Sequence, residues 1–380
     1  MKAVQLITSG DYMSHYMVDD HESWKEEVRV HEGYGLDRFE YRDIPRPEPG
    51  PGDVVVQVKA CGLNHLDAWA AKAPRSAIRD KPITPGADMA GVVDQVGPGV
   101  AKVSEGDRVM VYPGVSCNRC RYCLTGRDNL CPDKPGFGSG RDGGLAEYVL
   151  VPEQSVIPVP DSVSLIDAAS LPIIFMTVWH MLVARGRVRP GDDVLVNAAG
   201  SGVGIAGIQI AKLFHARVIA SAGSDAKLEK ARKLGADDVI NYSTSSIREE
   251  VMRLTDGYGV DIVVDSLSGN LAEESIEALA VGGRFVNCGC TLGNWATVNV
   301  ARMLFKETTV MGSVMGTHQE LVECLRLVSE GKLRAVIDQV YPLSQVRDAV
   351  AHLLERRVFG KVMVIPDSQY PPTEPYSTLD

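Results

Sequence analysis

Four of the eight cysteines lie in one short segment and could bind a metal ion. Cys117, Cys120, Cys123 and Cys131 have the spacing C-x2-C-x2-C-x7-C. Thiolates are preferred ligands of tetrahedral zinc, and ligands at every third residue of a loop can surround one ion. A four-iron cluster also takes four cysteines, and a loop without metal is a third possibility. Ligand type and spacing favour a structural zinc site, which has no open position for Lewis-acid chemistry.

A glycine-rich segment could bind a dinucleotide. A short apolar run, Val194–Val196, is followed by Asn197-Ala198-Ala199-Gly200-Ser201-Gly202-Val203-Gly204 and then by an amphipathic stretch, Ile205–Phe214. A strand, a glycine turn and a helix in this order present backbone N–H groups and a helix N-terminus to a pyrophosphate. The pattern predicts cofactor contacts at Gly200, Ser201, Gly202, Val203 and Gly204.

The end of the next predicted strand should select between NAD and NADP. A carboxylate at this place would bind the ribose hydroxyls of NAD and repel the 2′-phosphate of NADP. The chain instead offers the hydroxyl of Ser224 and the cation of Lys227, both suited to phosphate. Asp225 is the acid that could reverse this preference. The segment therefore predicts NADP(H).

The residues around these motifs predict an α/β fold. Six apolar strands alternate with helical segments such as Asp225–Leu234, which is the pattern of a doubly wound parallel sheet. Right-handed crossovers leave few other topologies. The predicted strands are Val194–Val196, Arg217–Ser221, Asp238–Ile240, Val260–Asp265, Gly283–Cys288 and Thr308–Met311.

Length and composition restrict the class of protein. A chain of 380 residues exceeds one ordinary hydrophobic core, so we expect two domains. The net charge of −10 argues against nucleic acid as a partner. No stretch approaches the roughly 18 apolar residues of a membrane span, and the N-terminus lacks the features of a signal peptide. We expect a cytoplasmic protein that acts on a small molecule, without nucleic-acid or membrane partners.

Several further segments resemble the medium-chain dehydrogenase/reductase superfamily, which contains zinc alcohol dehydrogenases and quinone oxidoreductases. The resemblance implies a GroES-like β-barrel catalytic domain, residues 1–165 and 317–380, with a zinc-binding lobe at about 113–133. A Rossmann domain would occupy residues 166–316, and the active site would lie in the cleft between the domains. The matching segments are Pro47–Val54, Cys61–Asp67, Pro85–Gly91, Gly143–Tyr148 and Thr177–Trp179, together with the glycine turn and the four cysteines.

The chain departs from the alcohol dehydrogenases at the ligands of their catalytic zinc. Asn64 replaces a cysteine, Ala87-Asp88 replaces a histidine and glutamate, and Ile173 stands near the place of a further ligand. Two oxygen donors are too few for a zinc site that prefers nitrogen and sulfur. The pattern instead resembles quinone oxidoreductases and enoyl reductases, which transfer hydride from NADPH to quinones, enones or enoyl-CoA esters.

Two other functions stay open on the sequence alone. The first is an alcohol or carbonyl dehydrogenase of the zinc alcohol dehydrogenase type, with no catalytic zinc or with an unrecognised ligand set. The second is a cofactor-binding protein with structural, sensing or partner-binding duties.

The resemblance also assigns individual roles. Asn64 is expected to donate a hydrogen bond to the substrate carbonyl. His65 could touch the pyrophosphate or relay a proton, or be structural. Asp67 is expected to be a positioning residue or a buried acid bonded to backbone N–H groups. The resemblance places these three residues in the catalytic set and adds Thr177, Tyr242 and Gly289 to the cofactor-binding set.

Two segments do not follow the family pattern. Residues 11–38 contain an insertion rich in aromatic and acidic residues, which could cover the substrate cleft, lie at a subunit interface or be a surface excursion. The tail from Ser368 is predicted to be disordered or to lie over a neighbouring chain. The edge strand of the family, here about Thr308–Gly312, implies a homodimer and leaves a tetramer open.

Overall fold

The computed structural model describes residues 1–6, 35–72 and 82–379, so the insertion lies outside the described residues apart from its last four. The strands are β1 (Lys2–Leu6), β2 (Phe39–Asp43), β3 (Asp53–Gly62), β4 (Asp88–Val96), β5 (Arg108–Val111), β6 (Tyr148–Pro152), β7 (Val156–Pro158), β8 (Asp193–Val196), β9 (Arg217–Ala222), β10 (Asp238–Asn241), β11 (Val260–Asp265), β12 (Leu279–Asn287), β13 (Thr309–Gly312), β14 (Ile337–Pro342) and β15 (Lys361–Ile365).

Ten α-helices lie in the described ranges. They are α1 (His65–Lys72), α2 (Leu165–Ala169), α3 (Pro172–Trp179), α4 (Gly202–Leu213), α5 (Asp225–Leu234), α6 (Ile247–Leu254), α7 (Gly269–Glu277), α8 (Val300–Lys306), α9 (His318–Ser329) and α10 (Val346–Leu354). A π-helical turn spans His180–Arg185, and short 3-10 helices span Leu36–Arg38, Cys123–Thr125, Asp128–Leu130, Glu153–Ser155, Leu343–Gln345 and Asp367–Gln369. No helix among the described residues is both long and apolar enough to span a membrane.

The chain divides into two compact units. Unit 1 contains Met1–Ile173 and Thr317–Thr378, and unit 2 contains Ile174–Gly316. In unit 2 six parallel strands have the order β10-β9-β8-β11-β12-β13. The strands are added to one side of β8 first and then, from β11 on, to its other side. The place between β8 and β11 is the switch point, where doubly wound sheets bind ligands. The predicted doubly wound sheet is confirmed.

Local sequence explains why the elements of unit 2 begin and end where they do. The alternating β–α pattern places apolar strands such as β11 in a sheet buried on both faces. Helix α5 buries Leu228, Ala231 and Leu234, which recur at helical spacing. It ends at Gly235, whose φ of 118° lies in the left-handed region that glycine adopts readily.

Unit 1 is built around a seven-stranded sheet that is mostly antiparallel. Its order is β14-β15-β3-β4-β5-β7, and β6 pairs with β3 beyond this path. The long strand β3 therefore pairs with β15, β4 and β6. Strands β1 and β2 form a separate antiparallel pair. Because β15 comes from the C-terminal part of the chain, it brings residue 361 next to the end of β3.

The C-terminal tail is ordered and contacts other parts of unit 1, so the prediction that it is disordered was wrong. Ser377 donates from its backbone N–H and its hydroxyl to the Asp167 carboxylate, at 2.8 Å each. The backbone N–H of Ile337 donates to the Ser377 carbonyl at 2.9 Å. Composition and missing periodicity do not reveal such long-range side-chain partners.

Candidate functional site

The four predicted cysteines converge on one point in unit 1. Their sulfur atoms all lie within 4.8 Å of one another, with Cys117 and Cys123 Sγ at 3.9 Å and Cys120 and Cys123 Sγ at 3.5 Å. Thiolates bound to one tetrahedral zinc ion at about 2.3 Å lie about 3.8 Å apart. A four-iron cluster binds each cysteine to a different corner of a cube, which holds the sulfurs farther apart. The spacing therefore fits a single ion.

Backbone N–H groups support thiolates in this lobe. Cys117 N–H donates to Cys131 Sγ at 3.4 Å, and Cys120 N–H donates to Cys117 Sγ at 3.4 Å. Hydrogen bonding from the backbone of Arg119 is the main cause that lowers the pKa of Cys117 to about 6. Donors that stabilise the thiolate favour metal binding, because the thiolate is the ligand. The donor set suits a zinc ion with four protein ligands, which has a structural role.

A second group of polar side chains lies at the end of β3, around Asp88 and Lys361. The Asp88 carboxylate is fully buried, and the Lys361 side chain is 3% exposed. Asp88 Oδ2 accepts from Asn64 Nδ2 at 2.8 Å and from Lys361 Nζ at 2.9 Å. Asp88 Oδ1 accepts from the backbone of Ile173 at 2.7 Å. Lys361 Nζ also donates to Asn64 Oδ1 at 3.0 Å and to the Leu63 carbonyl at 2.7 Å.

The donors around Asn64 do not fit a zinc ion. The side-chain oxygens of Asn64 and Asp88 already share the Lys361 ammonium, which supplies the positive charge that a metal would bring. Ala87 and Ile173 have no side-chain ligand atoms. Within the described part of the chain, only the cysteine cluster brings together three or more candidate ligands from His, Cys, Asp and Glu.

The predicted glycine turn lies at the switch point of the unit 2 sheet. Strand β8 ends at Val196 and α4 begins at Gly202, with Ser201 as the N-cap that accepts the Gly204 N–H at 3.0 Å. A Cβ at Gly204 would lie 2.3 Å from the Ala198 carbonyl oxygen, so only glycine fits there. The start of α4 is half-buried. Backbone N–H groups at such a helix N-terminus suit the binding of a pyrophosphate.

Comparison with known proteins identifies the family. Residues 50–161 match the alcohol dehydrogenase GroES-like domain, and residues 202–330 match the zinc-binding dehydrogenase model. Quinone oxidoreductase-like protein 2 of Bos taurus is 33% identical over 330 residues, which cover 84% of this chain and 86% of that protein.

This chain belongs to the medium-chain dehydrogenase/reductase superfamily. A crystal structure of an NAD-dependent alcohol dehydrogenase is 44% identical, has a TM-score of 0.86, and is matched over 96% of this chain and 99% of that one. A zinc-binding dehydrogenase from Sinorhizobium meliloti 1021, crystallised with NADP, is 26% identical with a TM-score of 0.80, over 96% of this chain and 99% of that one.

The predicted GroES-like and Rossmann folds are therefore confirmed, and the chain is an NAD(P)H-dependent medium-chain oxidoreductase. The matches include quinone oxidoreductase-like proteins and alcohol dehydrogenases, so they define the reaction type as oxidoreduction of a small molecule.

The remaining predicted cofactor residues of this oxidoreductase lie in unit 2. Ser224 is the N-cap of α5, and Asp225 Oδ1 accepts from Asn241 Nδ2 at 2.7 Å. The Tyr242 ring lies beside Gly223, where a Cβ would be 3.0 Å from the ring. Thr177 is buried in α3, and Gly289 follows β12. Ser224 and Tyr242 therefore flank the loop after β9.

Asp67 supports the backbone around Asn64. Its carboxylate accepts the Asn64 N–H at 2.9 Å through Oδ2 and the Gly86 N–H at 3.0 Å through Oδ1. Burial raises the pKa of Asp67 to about 6 against these two hydrogen bonds. Because both oxygens bind backbone groups, the carboxylate fixes the start of α1. This geometry supports the positioning role.

His65 is partly buried, and its ring centroid lies 6.0 Å from that of Trp69. Burial, with smaller effects from Arg356 and Lys361, lowers the pKa of His65 to about 4. The imidazole is therefore neutral at neutral pH and brings no cation to a pyrophosphate.

We expect this neutral histidine to make folding sensitive to acid. Unfolded histidine titrates at about 6.5, so the unfolded state binds more protons between pH 6.5 and 4. The contribution of His65 is fully present above about pH 6.5 and is lost as the pH falls toward 4. Replacing His65 by glutamine should reduce the stability lost between pH 7 and 4 by about 2 kcal/mol. Urea unfolding at both pH values measures this, with exposed His215→Asn as control; equal pH dependence would contradict it.

Sequence reasoning missed two buried charged residues of this oxidoreductase. Lys361 begins β15, where every other residue is apolar, and Asp265 ends β11. The Asp265 carboxylate accepts from Asn197 Nδ2 at 3.0 Å and from Asn287 Nδ2 at 2.7 Å. The Asn197 amide oxygen accepts from the Ser221 hydroxyl at 2.8 Å. For Lys361 the available signal was a single charge in an otherwise apolar strand, although it did not reveal the partners.

Proposed function

We propose that the protein is an NADPH-dependent reductase of activated C=C bonds or quinones, including enones and enoyl-CoA esters. The main support is the group formed by Asn64, Asp88 and Lys361, where a buried ammonium stands among the oxygens that a catalytic metal would need. Without such a metal the usual means of ionising an alcohol is missing. A conjugated acceptor needs no ionisation, since its carbonyl withdraws the electrons.

The chain contributes positioning and charge stabilisation to this reaction. When bound, the reduced nicotinamide supplies hydride to the β-carbon of the acceptor. The electron pair of the C=C bond moves toward the carbonyl oxygen, and water supplies the proton that completes the reduction. Asn64 donates an amide N–H to that oxygen, which stabilises its developing charge. Asp67 holds the backbone of Asn64 in place.

The two units have different proposed duties. Unit 1, with Asn64, His65 and Asp67, is the catalytic domain, and unit 2 holds the dinucleotide through the glycine turn, Thr177, Tyr242 and Gly289. The four-cysteine lobe of unit 1 holds one structural zinc ion. None of the eight cysteines, which all lie among the described residues, forms a disulfide, and this supports a reducing compartment such as the cytoplasm.

We infer that NADPH is preferred over NADH. Ser224 and Lys227 follow β9 as the N-cap and a first-turn residue of α5, and the Asp225 carboxylate accepts a hydrogen bond from Asn241. Replacing Lys227 by glutamate is expected to lower kcat/KM for NADPH by about tenfold or more, since a carboxylate repels the 2′-phosphate. The value for NADH should change little. Steady-state kinetics with both cofactors measure the effect. Lys233→Glu at the other end of α5 is the control, and equal losses for both cofactors would contradict the prediction.

We propose a homodimer formed through the end strand β13, and a tetramer remains compatible with this contact. The neighbouring helix exposes Val300, Leu304 and Phe305, and β13 exposes Val310. Placing a charge at Val310 should prevent two edges from pairing, because a lysine there cannot be buried without a partner.

We therefore expect Val310→Lys to halve the mass of the particle in analytical ultracentrifugation at micromolar concentration. Tyr258→Lys, at an exposed apolar residue elsewhere, should leave the mass unchanged. A monomeric wild type, or a variant of unchanged mass, would show that β13 is not the contact.

An alcohol or carbonyl dehydrogenase is the second candidate, favoured by the similarity to the NAD-dependent alcohol dehydrogenase. A third, of another class, is a cofactor-binding protein with a structural or sensing duty. It would bind NADPH tightly and turn over no acceptor.

One experiment separates the three candidates. NADPH and NADH consumption is measured with one quinone, one enone, one enoyl-CoA and one simple aldehyde, and zinc is counted per chain. One zinc with turnover of a conjugated acceptor supports the reductase. Two zinc ions with the aldehyde as best substrate support the alcohol dehydrogenase.

Asn64→Ala should lower kcat for the enone by about 100-fold without changing NADPH affinity.

A further inference from the structure

Lys361 is a buried cation whose hydrogen-bonding capacity is fully used within the protein. An ammonium has three N–H donors and no acceptor. The Lys361 ammonium donates to the Leu63 carbonyl at 2.7 Å, to Asn64 Oδ1 at 3.0 Å and to Asp88 Oδ2 at 2.9 Å. With three acceptors for three protons, it has no N–H left to give to a substrate. Any effect on the reaction must pass through these partners.

The neighbours of Asn64 fix which way its amide points. Lys361 can only donate, so it faces the amide oxygen Oδ1, and the ionised Asp88 can only accept, so it faces the amide nitrogen Nδ2. A flipped amide would place N–H groups against an ammonium and an oxygen against a carboxylate. Asp88 accepts a hydrogen bond from one of the two N–H groups of Nδ2. The second is the donor that half-buried Asn64 can offer.

We propose that Lys361 is a positioning residue that makes Asn64 a hydrogen-bond donor and thereby directs the site toward acceptors that build negative charge on a carbonyl oxygen. This inference rests on the proposed function, in which Asn64 contacts the acceptor. An amide fixed this way stabilises an enolate in the transition state. It offers no base that would take a proton from an alcohol.

The test removes the ammonium without leaving a buried charge. Lys361→Met alone strands the Asp88 carboxylate and can unfold the protein, whereas replacing both members of a buried ion pair is tolerated better. The double variant Lys361→Met/Asp88→Asn is therefore used. Methionine is chosen over arginine because the packing is tight: a Cβ at Gly62 would lie 3.0 Å from Lys361 Cε. In this variant the Asn64 amide is free to flip.

The readout is the ratio of enone to quinone turnover, with NADPH as donor. Hydride transfer to an enone builds a basic enolate, whereas a quinone gives a more stable anion that depends less on a donor. We expect the double variant to lose about tenfold or more in kcat for the enone and clearly less for the quinone. NADPH affinity and one zinc per chain should be retained. Lys2→Met, which breaks the exposed Lys2–Asp43 ion pair of the same unit, is the control and should leave the ratio unchanged.

The outcomes separate the two claims. A wild type that reduces neither acceptor overturns the proposed function and this inference with it. A wild type that reduces both, with a variant whose two rates fall by the same factor or stay the same, leaves the function standing and overturns the role of Lys361. A selective loss on the enone at unchanged NADPH affinity supports the inference, because a purely structural defect lowers both rates together.

Discussion

Replacing Cys131 by alanine is expected to remove the zinc ion and to destabilise the protein by about 3 kcal/mol or more. The Cys131 side chain is buried, and its sulfur accepts the Cys117 N–H as well as completing the set of four ligands. A site with three thiolates binds zinc far more weakly, and the free energy of binding a structural zinc ion contributes directly to folding. The zinc content should fall from one ion per chain to none.

This variant also tests the assignment of a structural role. With four protein ligands the ion has no open position, so turnover per folded molecule should stay near the wild-type value at temperatures where the variant is folded. Inductively coupled plasma mass spectrometry measures the zinc content, and thermal unfolding measures the stability. Cys290→Ala changes a cysteine outside the cluster and is the control. Full zinc content with unchanged stability in the Cys131 variant would refute the site.

The parts of the structure that sequence predicted are those that depend on local pattern. Helix α5 has the predicted bounds, because Ser224 and Gly235 mark its ends and its apolar residues recur at helical spacing. The six strands of unit 2 begin and end close to the predicted residues, with β12 extended at its start. The cysteine cluster could be found because its ligands span only a short loop.

The buried charges could not be placed from sequence, because their partners are far away in the chain. Lys361 contacts Asn64 across 297 positions, and only the pairing of β15 with β3 brings them together. A pattern of apolar residues predicts that β15 is a strand. It does not predict which strand lies beside it, and the register of that pairing decides which side chains meet.

The same reasoning applies to Asn64 itself. The resemblance already placed Asn64 and Asp88 at one site, but the orientation of the Asn64 amide also depends on Lys361, which sequence did not connect to either residue. The prediction for the C-terminal tail failed for a related reason, since the contact of Ser377 with Asp167 is formed by two isolated side chains without any periodic pattern.

Replacing Asp265 by asparagine is expected to weaken NADPH binding by about tenfold or more. The buried carboxylate accepts from Asn197 Nδ2, Asn287 Nδ2 and the Ser268 N–H, which are all donors. An asparagine would turn an N–H toward one of these donors, and an unsatisfied buried group costs about 1–3 kcal/mol. Burial raises the pKa of Asp265, and these hydrogen bonds offset that rise only in part.

The loss should reach the cofactor because Asp265 supports the backbone of two loops at the switch point. Asn287 donates to the Gly289 carbonyl at 2.8 Å and accepts the Gly289 N–H at 3.1 Å, so it sets the loop that we propose contacts the dinucleotide. Ser268 has φ 61° and ψ −158°, a conformation that only glycine adopts readily and that its N–H bond to Asp265 at 2.8 Å helps to hold.

Fluorescence titration with NADPH measures the effect, and the matched control lies in the same strand. Asp261 is also in β11 but near its start, where its carboxylate accepts the Asp193 N–H at 2.8 Å. Asp261→Asn should lower stability without changing the Kd for NADPH, because that end of the sheet is opposite to the glycine turn. If both variants bound NADPH equally well, Asp265 would contribute to the stability of the core and not to cofactor binding. A selective loss in Asp265→Asn would show that a buried carboxylate shapes the cofactor site.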